Sequence, residues 1–80
     1  MRKMPRLSDL KAGQKGHVLS VGGKPDFQRR ITAVGVTPGG RLTVLQNEKK
    51  YPLLISIRNT ALAINRNDCE EIMVEVEANE

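Results

Sequence analysis

The sequence predicts a mainly β protein, a small barrel of about five short strands with one inserted helix and short helical turns. Runs such as Leu53-Leu54-Ile55-Ser56-Ile57 and Ile72-Met73-Val74-Glu75-Val76 alternate between inward and outward residues, as half-buried strands do. Turn-forming residues interrupt these runs at short intervals: Gly22-Gly23, Thr37-Pro38-Gly39-Gly40 and Asn59-Thr60. At 80 residues, with one Phe, one Tyr and no Trp, the chain has material for a single small aliphatic core.

Residues 1–6 form a basic lead-in without an apolar run behind it, expected to be disordered and not a signal peptide. The folded domain is expected over residues 7–77, and residues 78–80 are expected to fray. Leu7 to Gly13 reads as one helical turn, with Ser8 or Asp9 as cap and Leu7 and Leu10 directed into the core. Gly16 to Val21 is the first strand, and simple alternation puts His17, Leu19 and Val21 on one face. A helix opens at Lys24-Pro25-Asp26-Phe27, since proline suits a first helical turn and a carboxylate suits its positive end. Phe27, Ile31 and Val34 recur at helical spacing as its buried stripe, and Gly35 supplies the left-handed cap.

Thr37 to Gly40 fits a type II turn, with Gly39 at the position of positive φ. Arg41 to Gln46 follows as a strand with Leu42 and Val44 on one side and Leu45 on the other. After the polar loop Asn47 to Pro52, Leu53 to Arg58 is a strand with Leu53, Ile55 and Ile57 inward. Asn59-Thr60 is read as a two-residue hairpin leading to Ala61–Asn65. Asn67 to Glu71 reads as a capped turn with Asn67 as cap, and Ile72 to Glu77 as the last strand, its glutamates outward.

Composition narrows function. The single cysteine excludes an internal disulfide framework and fits a reducing cytosol. No segment has the roughly 20 apolar residues of a membrane span. The net charge of +4 favours acidic partners, but the cations are scattered and the C-terminal part is acidic. With so few aromatic residues the chain lacks the stacking platform of single-stranded nucleic-acid binders, so no nucleic-acid partner is expected.

Catalytic chemistry finds no footing. His17 and Cys69 are the only histidine and cysteine, too few for a structural zinc site of about four ligands. Cys69 reads as a half-buried small hydrophobe whose acidic neighbours raise its thiol pKa. Ser8, Ser20 and Ser56 have no nucleophile motif around them, and Gly22-Gly23-Lys24 lacks the full phosphate-loop pattern. The expectation is a non-enzyme without a cofactor or metal site. A partner surface is expected at the loop from Glu48 to Leu54, where Lys49 and Lys50 would steer encounter, Tyr51 would anchor and Leu54 would extend the patch. Arg29 and Arg30 on the helix are the other side chains free to contact a partner.

From about Leu7 to Val76 the chain resembles the ferrous iron transport protein A (FeoA) family. Leu7-Ser8-Asp9-Leu10-Lys11-Ala12-Gly13-Gln14-Lys15-Gly16 meets the family's leucine-rich opening. Arg30-Ile31-Thr32-Ala33-Val34-Gly35-Val36-Thr37-Pro38-Gly39 meets its central pattern Arg-Leu-x-x-Leu-Gly-Leu-x-Pro-Gly, and Leu62 to Val76 its closing segment. Asn59-Thr60 replaces a glycine-containing hairpin, Asn65 stands at a position more often basic, and Cys69 at one where a small residue is common. The resemblance implies an SH3-like barrel with an added helix. It also implies a cytoplasmic accessory role in bacterial ferrous iron uptake, in which the protein binds and supports or regulates the membrane permease FeoB. Self-association stays open. Competing readings are an SH3-like module that binds RNA or ribosomes, and a protein that binds ferrous iron directly.

Overall fold

The computed structural model describes residues 5–77. A 3₁₀ turn (Leu7–Asp9) precedes β1 (Lys15–Val21), α1 (Pro25–Ala33), β2 (Arg41–Gln46), β3 (Leu53–Ile57), β4 (Thr60–Ile64), α2 (Arg66–Cys69) and β5 (Ile72–Val76). The strands make one antiparallel sheet in the order β4-β3-β2-β1-β5. The mainly β class with one inserted helix is therefore as expected. The sheet does not close through a β4–β5 ladder, however, and both strands are edges. The chain crosses from one edge to the other through α2, which packs on the 3₁₀ turn, and that turn contacts β5.

The core is aliphatic. Leu42 and Val44 of β2, Leu53, Ile55 and Ile57 of β3, and Ile72 and Val74 of β5 point inward as alternation requires. Leu7 and Leu10 are buried beneath them, and Phe27 and Ile31 fasten α1 to the same cluster. The N-cap position of the 3₁₀ turn belongs to Arg6 and not to Ser8 or Asp9; Asp9, at the third position, reaches back to accept a hydrogen bond from the Arg6 amide at 3.0 Å.

Pro5 and Arg6, expected within the disordered lead-in, are paired with β5. The Val74 amide donates to the Pro5 carbonyl at 3.0 Å, and Arg6 forms a bridge with Met73 that covers part of the β5 edge. The expectations for residues 1–4 and 78–80 lie outside the described residues.

Four further local readings are corrected. In β1 the inward residues before the bulge are Gly16 and Val18, and Leu19 is an extra residue in the β1–β5 pairing between Val18↔Val74 and Ser20↔Met73. That bulge reverses the alternation and turns Val21 back toward the core, which simple period-2 counting misses. The β3–β4 hairpin turns on Arg58 and Asn59, both left-handed (φ 53° and 61°), while Thr60 already pairs with Ile57. A β-branched threonine resists positive φ, so the turn moves one residue back. The last helical turn begins at Arg66 with Asn65 in the cap position, and the Asn65 carbonyl accepts from the Cys69 amide at 3.0 Å. Starting there rather than after Asn67 puts Cys69 fully inside, where burial comes first in pushing its thiol up to about 11.

Val34 is the fourth correction: it is 48% exposed instead of completing the helical stripe. It sits at the C-cap, where the chain already leaves helical geometry (φ −90°, ψ 3°). The helix ends in a Schellman motif, the Gly35 amide donating to Thr32 and the Val36 amide to Ile31, each at 3.0 Å. Val36, not Val34, is then drawn into the core beside Ile31.

Gly35 has φ 104°, and among the described residues a Cβ there would meet only the Arg58 Cδ at 3.5 Å. Space is adequate and the backbone is the obstacle. Gly35→Val is expected to destabilise the domain by roughly 1–2 kcal/mol or more, read as a lower urea midpoint with an unchanged slope. The following turn is closed by the Gly40 amide on the Thr37 carbonyl at 2.9 Å, with Gly39 at φ 89° as expected. Hydrogen bonds from Gly39 N to Val18 O at 2.7 Å and from Val18 N to Gly40 O at 2.9 Å latch the turn to β1.

Candidate interaction surface

Phe27 and Ile31 fasten α1 to the core and also face edge strand β4. Between them lies an open groove of about 480 Å³. Phe27, Ile31, Ala33 and Val34 line it from the helix side, and Leu62, Ala63 and Ile64 from the strand. Its rim is polar: Arg30 lies over the Phe27 ring, 6.0 Å from the centroid, and Asn65 and Asp68 complete the lining. An apolar floor with a sparse charged rim suits an apolar side chain presented by another protein.

The expected contact residues fall in different places. Arg30 is on the groove. Arg29 is exposed on another face of α1 and pairs with Asp26. Lys49, Lys50 and Tyr51 lie in the loop between β2 and β3, and Tyr51 is 61% exposed. Leu54 is half-buried and pairs in register with Ala63, a groove residue. The structure thus joins Arg30 to an apolar site and sets Leu54 beside it, while Arg29 stays apart.

The β2–β3 loop is held by a residue that spacing alone does not single out. The Arg66 guanidinium donates to the Glu48 and Tyr51 carbonyls, each at 2.9 Å, and to Asn47 Oδ1. Asn47 Nδ2 donates to the Ser8 carbonyl at 3.3 Å and to that of Leu10. Loop, α2 and 3₁₀ turn are therefore one hydrogen-bonded unit, and the Tyr51 ring projects from a fixed backbone. The groove itself escapes sequence reading because its walls are some thirty residues apart and Val34 looks like a core residue.

Among the described residues, no group of three or more His, Cys, Asp or Glu side chains could hold a metal ion. His17 Nε2 lies 3.1 Å from Glu75 Oε1 on the outer face of the sheet. Among the described residues no helix is long and apolar enough to cross a membrane.

The FeoA domain family model matches residues 6–76. The chain belongs to the FeoA family. A crystal structure of FeoA described as an iron uptake regulatory protein matches with a TM-score of 0.88 at 27% identity, over 94% of this chain and 100% of that one. The solution structure of FeoA from Chlorobium tepidum matches with a TM-score of 0.83 at 31% identity, over 95% and 73% of the two chains. FeoA of Stenotrophomonas maltophilia, crystallised with zinc and described as an SH3 domain protein, matches with a TM-score of 0.77 at 21% identity, over 89% of each chain. That last likeness concerns the fold alone, and it agrees with the SH3-like barrel that the resemblance implied. No curated relative matches the chain. Membership of the FeoA family associates this protein with ferrous iron transport.

Proposed function

We propose that this FeoA protein is a cytoplasmic accessory of bacterial ferrous iron uptake that binds the membrane permease FeoB and supports or regulates it. The groove between α1 and β4 carries the reading. It is an apolar concavity bordered by β4, a sheet edge that is unpaired among the described residues, so a partner can place an apolar side chain in it and run extended backbone along β4. Arg30 on the rim and the lysines of the β2–β3 loop favour an acidic partner surface. The S. maltophilia relative is described as possibly acting as a ferrous iron transport activating factor, which is consistent with this role.

The test is co-purification with FeoB. Val34 is already half in solvent, so Val34→Asp leaves the core intact and puts a charge on the groove wall. Capture is expected to fall about tenfold or more, as for a charge forced into an apolar contact. Tyr51→Ala and Leu54→Ala are expected to lose less. Undiminished capture of Val34→Asp would remove the groove from the interface, and failure of the wild type to be captured would end the FeoB reading itself.

A further inference from the structure

On the outer face of the sheet, away from the groove, the strand register assembles two polar rows. Lys15 of β1 stands opposite Thr43 of β2, and Thr43 opposite Ser56 of β3. In the adjacent row His17 stands opposite Arg41, and Arg58 follows directly after Ile57, the partner of Leu42. Lys15, Arg41, Thr43, Ser56, Arg58 and Glu77 line one pocket of about 280 Å³ between them.

Three cations and one carboxylate share this pocket. Cations on neighbouring strand positions repel, and a sheet gains nothing structural from that arrangement. Glu77 forms an ion pair with Arg41, accepting from its Nε at 2.8 Å and from its Nη2 at 3.1 Å, and attracts Lys15 more weakly and without contact. Among the described residues Lys15 and Arg58 make no ion pair, and the Thr43 and Ser56 hydroxyls make no side-chain hydrogen bond. Two cations without an ion pair and two hydroxyls therefore line one concavity together with an Arg–carboxylate fork. We propose that this pocket binds a phosphate group.

A tetrahedral oxyanion offers three or more oxygens to donors that converge from several directions. A planar carboxylate, as Glu77 shows, is satisfied by one guanidinium edge. Glu77 engages Arg41 and so competes with the ligand, and the Arg41 hydrogen bond above all holds its carboxyl below the ordinary range. No aromatic side chain lines the pocket, so a nucleotide would be read through its phosphates and not its base. The site is independent of the α1–β4 groove and does not require that FeoB bind there.

Amide-resolved NMR titration of the full chain with inorganic phosphate, pyrophosphate, adenosine diphosphate and citrate tests the assignment. Saturable shifts are expected at residues 15, 43, 56 and 58, with pyrophosphate binding more tightly than phosphate. Adenosine diphosphate should match pyrophosphate, and citrate should bind more weakly. Lys15→Gln and Arg58→Asn should each weaken pyrophosphate binding about tenfold; asparagine is chosen because position 58 has φ 53°. Glu77→Gln should tighten it several-fold by freeing Arg41. Retained dispersion of the spectra establishes that each variant is folded. Diffuse or non-saturable shifts, citrate binding as tightly as pyrophosphate, a nucleotide preference, or indifference to Lys15→Gln and Arg58→Asn would each overturn the proposal.

Discussion

Gly16→Ala is expected to lower the stability of the domain by about 3 kcal/mol, at the upper end of overpacking costs. The added Cβ would lie 2.5 Å from the Glu75 carbonyl oxygen and 2.8 Å from Val74 Cγ1. The first of these atoms belongs to the backbone of β5, so no rotamer change relieves the contact. Relief requires β1 and β5 to part where Gly16 pairs with Val76 and His17 with Glu75. For a domain of 80 residues, total stability is on the order of 4–12 kcal/mol, so the loss is a large share of the whole. Urea unfolding at 25 °C should show a much lower midpoint with the same slope. Gly13→Ala is the informative comparison, since no atom of the described residues lies within 4 Å of a Cβ there and its φ of 91° is what is at issue. It should cost about 1 kcal/mol. Equal effects at the two glycines would show that close approach between strands is not what excludes a side chain at position 16.

Arg66→Ala is the second large effect. One guanidinium holds two loop carbonyls and the Asn47 side chain, which in turn holds two carbonyls of the N-terminal turn. Its acceptors are partly exposed, so water replaces some of what is lost, and a cost of about 1–3 kcal/mol follows for charged hydrogen bonds of this kind. That corresponds to a fall in melting temperature of roughly 4–8 °C per kcal/mol for a domain of this size. Amide hydrogen exchange should rise at residues 47–52 more than in β2 or β3. Arg66→Lys should recover only part of the stability, because an ammonium lacks the planar fork that spans separated acceptors. Unchanged exchange in the loop of Arg66→Ala would mean that Asn47 alone fixes it.

These two residues also mark where local reading stops. The inward sets of β2, β3 and β5 were legible because a strand's alternation is a property of its own backbone. Gly35 and Pro38-Gly39 were legible because their backbone conformations restrict residue type directly. The first strand was misread because a bulge is a relation between two strands, and β5 lies more than fifty residues beyond β1. Arg66 was invisible for the same reason: all its acceptors lie in another loop. Of the candidate contact residues, Arg30 acquires an apolar neighbourhood in the fold and Leu54 a groove residue as partner, whereas Arg29 acquires neither. In raising the Cys69 thiol pKa, complete burial outweighs the acidic neighbours that the sequence displays.

By itself the sequence determined the class of fold, the family resemblance, most of the core and the positions where the chain must turn. Each of these rests on interactions spanning a few residues or on the conformational limits of single ones. Tertiary structure alone decided the groove between α1 and β4, the clamp at Arg66, and the cationic pocket where Lys15, Arg41 and Arg58 meet. Those features exist only once strand register brings distant side chains together. That register is set by which apolar faces can be buried at the same time, not by any segment on its own.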